Sequence, residues 1–153
     1  MNRFLAIFFI TIALLGGLLY AMPRDFATFV GQISPDGKVC VYCRQTSLQG
    51  YDLGFCKIVE CDAQDLQRIL TDCDKVDGVS VTFEGGRSDV DRVAQALGVN
   101  GIAEYQLGDV SVFCGYSYKI NGGVTLDGNR VNVQIAFGKG TVTVGSPLIL
   151  GSY

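Results

Sequence analysis

The sequence predicts an α+β domain: two short helices packed on one face of a mainly antiparallel twisted sheet, preceded by an N-terminal transmembrane or signal helix. Three observations predict it. Residues 4–21 carry no charge. Two segments repeat apolar side chains at i, i+3, i+4 and i+7, namely Leu66, Ile69, Leu70, Cys73 and Val90, Val93, Ala94, Leu97. After Gly98 the chain becomes a series of short β-type runs separated by glycine-containing turns.

The uncharged run is 18 residues long and holds 11 Phe, Leu or Ile. Each favours insertion by roughly 0.3–0.6 kcal/mol at a helix centre, so the run is worth on the order of −3 to −6 kcal/mol. As a helix it extends about 27 Å, against a hydrocarbon core of about 30 Å. Arg3 and the initiator amine precede the run, whereas Arg24 and Asp25 cancel after it. That bias keeps the N-terminus inside and sends the C-terminus out. The expected location is therefore the cell membrane, single-pass, with an extracytoplasmic C-terminal domain. The alternative is secretion after cleavage near Ala21, where Leu19 is larger than a signal peptidase site prefers. The organisation reads as a span at 1–22, a stalk at 23–37 and a domain at 38–153.

Composition removes several classes of function. Beyond residue 22 there are 11 Lys and Arg against 15 Asp and Glu, a formal charge of −4, with no basic run. Nucleic acid is not an expected partner, because its phosphates demand clustered cations. Histidine is absent, so no imidazole can act as base, metal ligand or sensor near neutral pH.

In chain order, 38–45 and 53–61 read as strands of a hairpin with a long polar connector. Asp62 is expected to cap the first helix and Ser88 the second, which Gly98 closes in the left-handed conformation. Between them Val79, Val81 and Phe83 alternate as a strand. The two strand–helix units are offset by 24 residues, Phe55 matching Val79, Leu66 matching Val90 and Arg68 matching Arg92; this fits an internal repeat, but chance phasing of two short amphipathic helices is the preferred reading. Strands follow at 102–107, 110–119, 131–137 and 141–144. Asp127-Gly128 is the strongest short-hairpin signal, since a type I′ turn needs positive φ at both positions. A last run, 147–150, opens at a proline and suits an edge strand. In 131–137, alternation places Val131, Val133, Ile135 and Phe137 toward the helices, and Asn132, Gln134 and Ala136 toward solvent.

Six cysteines in an exported domain are the main chemical feature. Cys40, Cys43, Cys56 and Cys61 form C-x2-C-x12-C-x4-C. A redox couple at Cys40 and Cys43 would need a helix opening at the first sulfur, whereas the flanks read as strand. Two residues three apart on a strand also point to opposite faces. A zinc site made of all four sulfurs has permissible spacing but lacks the glycine usual after the second cysteine, where Arg44 stands. Structural cross-links or buried thiols are the preferred reading, with Cys40 opposite Cys61 and Cys43 near Cys56 across the hairpin. Cys73 and Cys114 are expected in the core.

Other constellations fall short. Asp72, Asp74 and Asp77 do not match calcium-loop spacing. Glu60, Glu84 and Glu104 have nothing to bring them together, and the serines have no histidine partner. Gly85-Gly86 before the second helix reads as a loop pair more readily than as an anion cradle. No catalytic residue, cofactor or metal is expected.

In the C-terminal half, Cys114-Gly115-Tyr116-Ser117, Arg130-Val131-Asn132-Val133-Gln134-Ile135-Ala136 and Gly145-Ser146-Pro147-Leu148-Ile149 resemble the YwmB-like family of exported Firmicute proteins. The resemblance spans roughly 79–153. It implies a TATA-box-binding-protein-like fold without established activity; the charge balance and the export signal oppose DNA binding. The expected function is that of a membrane-anchored, non-catalytic binding domain for a protein or another envelope component. The alternative is a thiol-disulfide or metal-dependent enzyme built on Cys40 and Cys43.

Overall fold

The structure, a computed structural model, describes residues 24–150. The predicted apolar span at 1–22 lies outside them, and no helix among the described residues is long and apolar enough to cross a membrane. In chain order the elements are α1 (Ala27–Ile33), β1 (Lys38–Cys43), β2 (Tyr51–Asp52), β3 (Lys57–Asp62), α2 (Leu66–Thr71), β4 (Val76–Glu84), α3 (Arg87–Leu97), β5 (Val99–Leu107), β6 (Val110–Ser117), β7 (Val124–Leu126), β8 (Asn129–Val131), β9 (Val133–Gly138) and β10 (Thr141–Ser146). One eight-stranded sheet runs β2-β3-β1-β4-β10-β9-β6-β5, and β7 and β8 form a separate ribbon. Every pairing in both is antiparallel. The α+β class is as predicted, with three α-helices among the described residues where two were expected.

The additional helix comes from the stretch expected as a stalk. Phe26, Val30 and Ile33 repeat at helical spacing and are buried in the main core. Arg24 is also fixed: its N–H donates to Lys119 O at 2.8 Å, and its carbonyl accepts from Asn121 N–H at 2.9 Å. Residues 24–33 therefore belong to the domain, because an apolar stripe at helical spacing gains more by docking on the sheet than by standing in water.

The main core lies between the helices and one face of the sheet. Val39, Val41, Val79, Val81, Val142, Val144 and Ile135 meet Leu66 and Ile69 of α2 and Val90, Val93 and Leu97 of α3. The helix starts differ from expectation. Asp62 makes no cap and instead pairs with Lys38, while a 3-10 turn at Ala63–Asp65 precedes α2. Gly86, not Ser88, is the N-cap of α3, and Asp89 Oδ2 accepts the Gly86 N–H at 2.9 Å. Gly98 ends α3 at φ 63°, as predicted, and Ser117 Oγ and Lys119 Nζ donate to the carbonyls of Leu97 and Ala96. These bonds satisfy two acceptors that the helix end leaves open. The 24-residue offset aligns the buried helix positions Leu66 and Val90. It fails at the strands, where Phe55 is exposed and Val79 buried.

Strand β9 is covered on both faces, contrary to expectation. The predicted strand 131–137 breaks at Asn132, so Val131 belongs to the ribbon and joins a second core with Val112, Cys114, Ala136 and Ile149. The run at 147–150 is no strand; it crosses the second face of the sheet, where Ile149 N–H donates to Gln134 Oε1 at 2.8 Å. A Cβ on Gly145 would meet Ile149 Cγ1 at 2.7 Å, so glycine is what allows this approach. The Asp127-Gly128 turn has φ of 49° and 79° and joins β7 to β8 as predicted.

Candidate functional site

The predicted cysteine set does not assemble into one site. In the β1–β3 register Cys40 faces Glu60, and Cys61 faces Val39. The expected pairing was thus one residue out of register, and a one-residue slip moves a side chain to the opposite face. Cys43 lies opposite Lys57 rather than Cys56. Its disulfide partner is Cys73, with a Cα–Cα distance of 5.6 Å. The chain leaves α2, turns and returns alongside β1 as β4. Arg44 N–H donates to Lys75 O at 2.8 Å and Asp74 N–H to Gln45 O at 3.0 Å, holding the two segments together around the bridge. Spacing could not reveal this pair, because it depends on β1 lying between β3 and β4. The available signal was that Cys73 stands three residues before a strand.

Cys40, Cys56, Cys61 and Cys114 are free thiols. Burial pushes all four thiols up. Glu60 adds to this at Cys40, and the Asp77 and Asp52 carboxylates add to it at Cys56. At Cys61, burial first and then Asp65 and Asp62 push the thiol up to about 11. Thiolate is the form that attacks disulfides and binds metals, so these environments oppose both. Among the described residues no group of three or more Cys, Asp, Glu or His is placed to hold a metal ion. Cys40 and Cys43 share β1 but face opposite sides, as two strand residues three apart should. Glu60, Glu84 and Glu104 lie on β3, β4 and β5, which are not neighbours. The Gly86 N–H is already taken by Asp89, so Gly85-Gly86 is a helix entry rather than an anion cradle.

The bridge carries a stability prediction. It closes a separation of 30 residues, for which the chain-entropy account gives about 3–4 kcal/mol. Replacing Cys43 and Cys73 together by alanine should lower the melting temperature by an amount matching the loss on reduction of the native protein. Replacing Cys40 and Cys61 by serine should leave the response to reductant intact. Six alkylatable thiols in unreduced, denatured protein would refute the bridge.

Among the described residues, a cleft and a sheet edge offer places where something could bind. A cleft of about 450 Å³ opens between the start of α1, α2, the start of β4 and the end of β10. Phe26, Leu70 and Val79 supply its apolar surface and Asp25 and Asp77 its carboxylates. Both acids already have partners, Asp25 in Asn121 Nδ2 at 3.3 Å and Asp77 in Arg44 Nε at 2.8 Å.

The second feature is the outer edge of the sheet. Strand β5 runs for nine residues and is exposed along most of its length, with Ile102 47% and Leu107 54% accessible. Gly108-Asp109 makes a two-residue turn to β6, so Leu107 and Val110 close the hairpin as a hydrogen-bonded pair. By alternation, the backbone N–H and C=O groups of Glu104 and Gln106 then point outward. At the opposite edge β2 offers only two residues.

Comparison with protein-family models, curated proteins and solved structures finds no match to this chain.

Proposed function

We propose that the protein is a membrane-anchored, extracytoplasmic, non-catalytic domain that binds an extended segment of a partner protein along β5. The observation that carries this reading is the outer edge of the sheet. A long strand with outward N–H and C=O groups and exposed Ile102, Tyr105 and Leu107 is a template for an added strand. Backbone hydrogen bonds would supply affinity, and the alternating side chains specificity. The Cys43–Cys73 bridge supports the extracytoplasmic placement, since such bonds persist in oxidising compartments. It also weakens the enzyme alternative, because it takes Cys43 out of the Cys40/Cys43 couple. The likeness to YwmB-like exported proteins belongs to the same reading.

A membrane-impermeant amine cross-linker added to intact cells should join the domain to its partner. Glu104→Pro removes one outward donor and an exposed ion pair with Arg87; it should abolish that product while leaving the circular dichroism spectrum unchanged. A product formed only after lysis would overturn the extracytoplasmic placement. A product unaffected by Glu104→Pro would overturn β5 as the binding edge.

A further inference from the structure

We infer that the end of the domain bearing Tyr118, Lys119 and Arg130 rests in the lipid headgroup layer of the membrane that the N-terminal span enters. The inference builds on the anchored reading above but concerns a different surface from β5. Its first support is how the chain enters the domain. Arg24 bridges Ile120 in parallel and is bonded on both sides, to Lys119 O and from Asn121 N–H. It follows Met22, the last residue of the predicted span, by two positions. Two residues reach at most about 7 Å. The headgroup region on each side of the hydrocarbon is of similar thickness, about 5–8 Å. A span ending at the hydrocarbon boundary therefore holds 118–121 within that layer.

The second support is the chemistry at this end. Tyr118 is 74% exposed, and its ring meets Tyr116 edge-on with centroids 5.2 Å apart. The Arg130 guanidinium lies over the Tyr116 ring at 5.0 Å, and one of its N–H groups reaches Gly122 O at 3.4 Å. Lys119 and Arg24 are exposed beside them. The neighbouring cleft holds two acids, Asp25, which accepts from Asn121, and Asp77, which pairs with Arg44, so the basic set is local to Lys119, Arg24 and Arg130. Tyrosine with lysine and arginine is the side-chain set that settles at a membrane–water interface: rings sit at the headgroup level, and cations lie beside phosphate. An otherwise acidic domain thus turns a local aromatic and basic surface toward the bilayer.

The chain contains no tryptophan, so Tyr118→Trp provides a single reporter at an exposed position. Leu107→Trp is the control. Leu107 is 54% exposed and pairs with Val110 at the opposite end of the β5–β6 hairpin from Tyr118, with the length of β6, about 23 Å, between them. The full-length variants would be reconstituted in vesicles of phosphatidylcholine and phosphatidylglycerol with bromine near the top of the acyl chains. The Tyr118→Trp emission should shift to shorter wavelength and be quenched at least twofold, while the Leu107→Trp emission should be unaffected. Vesicle-bound protein with neither reporter quenched, or with both quenched equally, would overturn the inference and leave the anchored reading standing. Protein that fails to float with the vesicles would overturn the anchored reading and this inference with it.

Discussion

Replacing Asn132 by leucine should destabilise the domain by about 3–6 kcal/mol, enough to consume a large part of the roughly 5–15 kcal/mol a domain of this size has. Asn132 is fully buried at the break between β8 and β9. Its Oδ1 accepts from Ser117 N–H at 2.7 Å, and its Nδ2 donates to Ser117 O and Ile120 O, each at 2.8 Å. Leucine would strand Ser117 N–H and Ile120 O, at about 1–3 kcal/mol for each one left unsatisfied, and would leave Ser117 O with only the Ile120 N–H at 3.4 Å. The damage should spread, because Ser117 Oγ also donates to Leu97 O and so ties the end of α3 to the same knot. Asn132→Asp separates shape from hydrogen bonding. It keeps the acceptor but turns a buried carboxylate toward two carbonyls, so burial raises its folded-state pKa above the unfolded value of about 3.9. The folded state then binds the proton more tightly, and stability falls as pH rises from that value through the raised one. Denaturant titrations at pH 4 and pH 7 measure both effects. A loss below about 1 kcal/mol for Asn132→Leu would remove Asn132 from its place as the pin of this region.

Truncating Ile135 to alanine should cost about 2–5 kcal/mol, since its methylenes lie in the main core against α3 and the cavity can close only in part. The informative comparison is with its neighbour. Alternation alone makes Gln134 a solvent residue, for which alanine would cost within roughly 0.5 kcal/mol. In the structure Gln134 is only 9% exposed and its Oε1 holds the Ile149 N–H. Gln134→Ala should therefore cost about 1–3 kcal/mol by stranding that donor. It should also loosen the C-terminal segment, read as faster amide exchange at Ile149. A neutral Gln134→Ala would mean that 147–150 does not cover the sheet.

The sequence by itself determined the class of this domain and much of its local grammar. Helical periodicity located the buried sides of α2 and α3. Gly98 marked where α3 ends, and Asp127-Gly128 marked the tight ribbon turn. These signals are local: a φ sign or a 3.6-residue repeat is set within a few residues of chain. The opposite faces of Cys40 and Cys43 were legible for the same reason, since side-chain alternation needs only a strand. The tertiary structure alone decided what depends on which elements meet. Phe26, Val30 and Ile33 form a helix because a sheet face is there to receive them. Cys43 finds Cys73 because β4 returns beside β1, at a register that separates Cys40 from Cys61. Asn132 and Gln134 look like solvent residues in the sequence because they are polar. They are buried because the chain's own loops and tail bring backbone groups that need their hydrogen bonds.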